Sequence, residues 1–112
     1  MGHLGILGAG AWGTALARLQ CERGEATRLW TWQAEHAEAM QRERVNHAFL
    51  RGFPLPAGLE VSADLEFTLR GASAVILVVP TAGFRDTLEL ARPYIAQDAT
   101  LISRARASSP AR

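Results

Sequence analysis

Gly8, Gly10 and Gly13 are spaced G-x-G-x-x-G, directly after the apolar run from His3 to Gly8. A first glycine in this pattern permits a tight turn, a second lets the backbone come close to a pyrophosphate, and a third lets a helix pack closely on the preceding strand. The N-terminus of that helix then presents N–H groups and the positive end of its dipole to phosphate oxygens. The chemistry expected here is dinucleotide binding. A plainer alternative is that the glycines serve only a tight strand-to-helix turn.

The rest of a dinucleotide fingerprint departs from the usual pattern. An acidic residue near the end of the second strand commonly holds the adenosine ribose, yet Trp32 and Gln33 stand there and Glu35 comes later. The choice between NAD and NADP is therefore open at this level. Arg28 is a candidate for a 2′-phosphate, although an arginine flanking a strand is more often a solvated charge. Trp30 and Trp32 alternate along the expected strand, so packing on one face is the expected role of both. Cys21 reads as a small residue, buried or half-buried, and His3, His36 and His47 lack metal-ligand spacing. No catalytic residue and no metal ligand is assigned.

Local patterns place these residues. Trp12, Ala15, Leu16 and Leu19 recur at helical spacing, and Gly24 suits the left-handed position after a helix ending near Arg23. Thr27 to Trp32 reads as a strand, completing a strand–helix–strand unit. Ala34 to Arg44 is charged and Ala-rich, a helix whose Glu35, Glu38, Arg42, Glu43 and Arg44 form a solvated face. Asn46 to Gly58, with Gly52, Pro54, Pro56 and Gly58, predicts a surface loop, and Val61 either begins a short strand or ends that loop. Asp64 to Arg70 reads as a short helix with Leu65 and Leu69 inward, closed by Gly71. Ala74 to Val79 is the most apolar stretch, a strand buried on both faces and ended by Pro80. Thr81 caps a helix whose Phe84, Leu88 and Ala91 share a face and which Pro93 stops, and Ala99 to Ser103 reads as a last strand. Alternation of this kind predicts an α/β fold of the Rossmann type, a doubly wound parallel sheet.

Length and composition narrow the class. With 112 residues there is room for one domain and not two. A hydrophobic fraction of 48% with 21% charged residues fits a packed globular chain and not a disordered one. Twelve basic residues against 11 acidic leave a net charge of +1, too weak a field to gather nucleic acid. No apolar run approaches the roughly 18 residues a membrane span needs, and the N-terminus lacks a secretory pattern, so no membrane insertion and a cytoplasmic location are expected. All 12 basic residues are Arg, so no mechanism here can draw on a lysine amine.

Taken together, Gly8 to Ala17 (G-A-G-A-W-G-T-A-L-A), Leu29-Trp30, Phe49 to Pro56 (F-L-R-G-F-P-L-P), Asp64-Leu65 and Val78-Val79-Pro80 resemble the bacterial NAD(P)-dependent glycerol-3-phosphate dehydrogenases. The similarity runs from Gly5 to about Ser103. The resemblance implies that residues 1–103 form part of an NAD(P)-binding Rossmann domain. In the family a separate helical domain, absent from these residues, binds the polyol phosphate. It implies hydride exchange between the nicotinamide and glycerol 3-phosphate or dihydroxyacetone phosphate, in the supply of glycerophospholipid precursors, with a homodimer compatible with the full-length form. It also implies that Gly8, Gly10, Ala11, Trp12 and Gly13 contact the cofactor through the glycine loop. Trp32 or Gln33 would face the adenosine end, where the family often has Arg. Phe49 would lie near the cofactor and Pro80 at the nicotinamide side.

The family continues after this last strand with Ser-x-x-Lys-Gly, whereas Ser103 is followed by Arg104, Ala105 and Arg106. Residues 104–112 are Arg-rich, without apolar periodicity, and are expected to be an unstructured tail. If Ala105 to Ala111 are spelled GCA AGG GCA TCG AGC CCG GCA, reading from the third base yields Lys-Gly-Ile-Glu-Pro-Gly, a family-like continuation, so a frameshifted tail is expected. Hydride chemistry needs a substrate site and a proton donor or acceptor beside the nicotinamide, and neither is identified, so the 112-residue chain is expected to be inactive alone. Its last strand would be an apolar edge prone to association. Two other readings stay open: a non-catalytic dinucleotide-binding remnant, and a fragment of another Rossmann dehydrogenase.

Overall fold

The computed structural model describes residues 2–48, 50–79 and 81–103. Its centre is a parallel five-stranded sheet in the order β5-β2-β1-β6-β7, made of β1 (His3–Leu7), β2 (Thr27–Trp30), β5 (Glu60–Ser62), β6 (Ala72–Leu77) and β7 (Thr100–Ser103). Every pairing in this sheet is parallel, with Ile6 set between Leu29 on one side and Ile76 on the other. The helices are α1 (Ala11–Glu22), α2 (Ala34–Glu43), α3 (Leu65–Leu69) and α4 (Thr81–Ala91), the last running into a 3-10 turn at Arg92–Tyr94.

Strand alternation sends neighbouring side chains to opposite faces, and two apolar clusters result. Leu4, Ile6, Leu29 and Ile76 pack with Ala17 of α1 and with Ala37 and Met40 of α2. Leu7, Trp30, Val75 and Leu77 pack with Leu69 of α3 and Ala91 of α4, flanked by the half-buried Leu65, Phe84 and Leu88. The sheet is thus wound on both faces, as the alternation of elements predicts. The chain leaves β1 toward β2 on one side and later returns to β6 on the other. That change of direction opens a crevice at the carboxyl ends of β1 and β6.

Four local expectations need correction. The Trp12, Ala15, Leu16, Leu19 stripe faces the core only in part: Leu16 packs against it, but Gly13, Thr14 and Ala17 are the buried residues of α1, while Trp12 and Leu19 are exposed. Close approach of α1 to β1 at the glycine motif requires small residues there and turns Trp12 and Leu19 outward. The second strand ends at Trp30, two residues early, so Trp30 and Trp32 do not share an environment. Trp30 is buried with its indole N–H donated to the Ala63 carbonyl at 3.0 Å, whereas Trp32 is 74% exposed.

The stretch expected as a surface loop contains a small antiparallel pair, β3 (Val45–Asn46) and β4 (Leu50–Pro54). Gly52 takes a positive φ of 84° and the register shifts between Val45 and Asn46, so the breakers shape an irregular hairpin and do not abolish pairing. Arg44 is not part of a solvated helix face. It closes α2 in the left-handed region, at φ 58°, and its guanidinium donates to the carbonyls of Pro56 and Leu59 at 2.6 and 2.7 Å.

Most remaining boundaries agree with expectation, but the apolar strand β6 runs Ala72–Leu77, two residues earlier at each end than the expected Ala74–Val79. Gly24 follows α1 at φ 94°, and Val61 lies in the middle of β5. The Asp64 carboxylate caps α3 by accepting from the Glu66 and Phe67 N–H groups. Residues 104–112, with the reading of the tail and its reading frame, lie outside the described residues.

Candidate functional site: the cleft above β1 and β6

The glycine loop is built by contacts that exclude a side chain at two of its three glycines. Gly8 has φ 124°, and a Cβ on it would strike the Val78 carbonyl oxygen. A Cβ on Gly13 would run into the carbonyl oxygen of Gly8, so α1 can sit this close to the loop only with glycine there. Gly10 differs: a Cβ on it would meet nothing within 4 Å, because it faces the open crevice. The three roles written into the G-x-G-x-x-G pattern, namely turn, open approach and close packing, are therefore separately visible.

Backbone bonds pin the loop to both neighbouring strands. Gly8 N–H donates to the Trp30 carbonyl at 2.9 Å, and Val78 N–H donates to the Leu7 carbonyl at 2.8 Å. Gly10 is the cap of α1 and its carbonyl accepts from Thr14 N–H at 3.0 Å. No side chain caps the first turn and no acidic residue stands in it. The N–H groups and the dipole at this end are thus directed at the crevice without a competing carboxylate.

A cleft of about 600 Å³ lies over the loop, within the range typical of small-molecule sites. It brings together Gly8, Gly10, Ala11, Trp12, Gly13, Trp32 and Gln33, seven of the residues singled out from sequence. Phe49 and Pro80 fall outside the described residues. The far wall is Val78, Val79, Gly83 and Thr87 from the end of β6 and from α4, and His36 joins from the first turn of α2. Arg28 does not line the cleft. Its guanidinium bonds Glu60 at 3.1 Å and the Phe67 carbonyl at 2.6 Å, and stacks 4.2 Å above the Phe67 ring.

Asn46 is a supporting residue that the sequence did not mark, since an asparagine in a Gly- and Pro-rich stretch reads as turn chemistry. It is fully buried beneath the loop, where its Nδ2 donates to the Ala9 carbonyl at 2.9 Å and to Thr14 Oγ1 at 2.8 Å. Its Oδ1 lies 3.0 Å from His36 Nε2, and because that oxygen can only accept, the proton is on Nε2. One side chain thereby ties the glycine loop, the first turn of α1 and the first turn of α2 together. Among the described residues no group of three or more His, Cys, Asp or Glu side chains is placed to hold a metal ion, and no helix is long and apolar enough to cross a membrane.

Comparison with known proteins agrees with this geometry. Residues 3–107 match the family described as the NAD-dependent glycerol-3-phosphate dehydrogenase N-terminus. A glycerol-3-phosphate dehydrogenase [NAD(P)+] of Halorhodospira halophila is 48% identical over 91 residues, covering 81% of this chain and 27% of that protein. The crystal structure of glycerol-3-phosphate dehydrogenase from Coxiella burnetii superposes with a TM-score of 0.88 at 34% identity, over 93% of this chain and 32% of that one. An arogenate dehydrogenase of Synechocystis shares the fold less closely, with a TM-score of 0.70 and 25% identity over 92% of this chain and 32% of that one. The chain spans roughly a quarter to a third of the length of the relatives it matches. By the extent of that sequence match and the fold it accompanies, the chain belongs to the NAD-dependent glycerol-3-phosphate dehydrogenase family, in its N-terminal, dinucleotide-binding part.

Proposed function

We propose that this chain is the cofactor-binding portion of a cytoplasmic oxidoreductase that interconverts glycerol 3-phosphate and dihydroxyacetone phosphate. The observation that carries the reading is the contrast within the glycine loop: Gly8 and Gly13 are closed by backbone contacts, while Gly10 opens onto the uncapped end of α1. Space and donors for a pyrophosphate coincide at that point.

In this reading the loop from Gly8 to Gly13 holds the pyrophosphate, with Ala11, Trp12 and Gly13 supplying N–H groups from the first turn of α1. Trp32 and Gln33 form the adenosine end. Val78 and Val79, at the carboxyl end of β6, form the wall that excludes water on the nicotinamide side. Bound there, the dinucleotide would supply or accept the hydride. The described residues lining the cleft include no Asp, Glu, Lys or Cys, and the one histidine is engaged with Asn46. The substrate's proton donor and phosphate site are therefore assigned to residues outside this cleft lining.

Titrating NADH fluorescence against the purified 112-residue chain tests the reading. Saturable enhancement with no oxidation of NADH on adding dihydroxyacetone phosphate is the expected result. Absence of any saturable binding of NADH or NADPH would overturn the cofactor assignment, and turnover would overturn the assignment of the proton donor elsewhere.

A further inference from the structure

We infer that Asn46 is a positioning residue for the dinucleotide: by holding the Ala9 carbonyl beneath the glycine loop, it turns the Gly10 N–H to the crevice, where the pyrophosphate is received. This rests on the cofactor reading above and adds to it a residue that acts without touching the ligand.

The carbonyls of the loop carry the argument. An anion above the loop is favoured by N–H groups and repelled by carbonyl oxygens, so each carbonyl from Gly8 to Gly10 has to be turned away from it. The Gly8 carbonyl lies against Gly13, where a Cβ would strike it. The Gly10 carbonyl accepts from Thr14 N–H at 3.0 Å, inside the first turn of α1. The Ala9 carbonyl is held by a side chain from a distant segment, Asn46 Nδ2 at 2.9 Å. Both residues are buried, Asn46 completely, so this carbonyl points into the domain. No peptide among the described residues is cis, and a trans peptide sets its N–H opposite its C=O. A carbonyl aimed down at Asn46 therefore aims the Gly10 N–H up, where Gly10 faces open space.

The peptide that Asn46 holds is one that turns easily. It ends on Gly10, and glycine accepts both signs of φ at little cost. Turned over, it would present the Ala9 oxygen to the phosphate and withdraw the Gly10 N–H. Two contacts keep Asn46 itself in place. Its Oδ1 accepts from His36 Nε2 at 3.0 Å, so the amide cannot swing its oxygen toward Ala9. The hairpin that carries it is fastened to α1 by Arg18, whose Nε donates to the Pro54 carbonyl at 2.9 Å and whose guanidinium lies 5.3 Å from the centre of the Phe53 ring. The donor is thus oriented before the ligand arrives, which spares the reorganisation that binding would otherwise require.

Dissociation constants for NADH, measured by fluorescence on the 112-residue chain, N46A and T14V where circular dichroism shows each folded, test this without any turnover. T14V is the control, because it also removes a buried bond of Asn46, the one of 2.8 Å to Thr14 Oγ1, but leaves the Ala9 carbonyl held. N46A should weaken NADH about tenfold or more, the scale of a hydrogen bond to a charged group, and T14V should stay within about twofold. A merely structural Asn46 would lower the stability of both variants and change neither constant. Should N46A not fold, amide exchange followed by NMR on the unaltered chain decides: the Gly10 N–H should be protected only with NADH bound, and the Asn46 side-chain N–H protons with or without it. Unchanged affinity in folded N46A, an equal loss in T14V, or a Gly10 N–H indifferent to NADH would overturn the inference and leave the dinucleotide site standing. Failure of the unaltered chain to bind NADH or NADPH would remove the cofactor reading itself.

Discussion

The side-chain amide of Asn46 donates a 2.9 Å hydrogen bond to the carbonyl oxygen of Ala9, so a residue from the β3–β4 hairpin holds the middle of the glycine loop from below. The two residues are separated by 37 positions. The same Nδ2 group bonds Thr14 Oγ1, and the amide oxygen meets His36. The loop's shape therefore depends on a segment far from it in sequence as well as on its own glycines.

Replacing Asn46 tests that dependence. N46A removes two donated bonds at a fully buried position and leaves the Ala9 carbonyl and the Thr14 hydroxyl without that partner. A loss of about 2–3 kcal/mol in urea unfolding is expected. N46D should be at least as damaging, since it places an acceptor against the Ala9 carbonyl.

The glycine loop predicts opposite outcomes for two neighbouring substitutions. G13A forces a methyl group into the Gly8 carbonyl, a backbone atom that cannot swing away, and should lower stability by about 2–4 kcal/mol. G10A has open space around the added carbon and an ordinary φ of −78°, so thermal unfolding should shift by no more than about 1 kcal/mol equivalent. Its effect should fall on NADH affinity, lowered about tenfold or more as the methyl group occupies the approach to the loop. Equal destabilisation by the two variants would contradict this division of roles.

Arg44 offers a check on the segment from Pro56 to Leu59. Its left-handed backbone and its guanidinium bonds to two carbonyls there close the connection between α2 and β5. R44A should cost about 1–3 kcal/mol in chemical denaturation. R44G should recover part of that loss, because glycine accepts the positive φ without strain.

The outer edge of the sheet predicts association. β7 pairs with β6 on one side, and Leu101 and Ile102 are 43% and 42% exposed. Light scattering of the 112-residue chain should show a mass that rises with concentration. L101K should suppress this, since an edge lysine disfavours strand-to-strand pairing. A concentration-independent monomer would show the edge to be harmless.

Much of this was legible in the sequence because its causes are local. The G-x-G-x-x-G spacing, the apolar runs of β1 and β6 and the closure of the short helix by Gly71 each act within a few residues, so the parallel sheet, its helices and the loop over β1 could be read directly. The residue types in the loop also determined the chemistry it suits, since only glycine tolerates the contacts at Gly8 and Gly13. What lay beyond reach was set by contacts between distant segments. Helical spacing alone could not show that α1 turns Gly13, Thr14 and Ala17 inward, because the rotation is imposed by β1 beneath it. Composition marked Asn46 as turn-like and Arg44 as solvated, yet each finds its partners only when the hairpin and the β5 approach fold back on α1 and α2. Trp30 and Trp32 looked alike as alternate strand residues. The tertiary structure separated them, because β2 stops where its pairing with β1 ends, burying one indole and leaving the other at the mouth of the cleft.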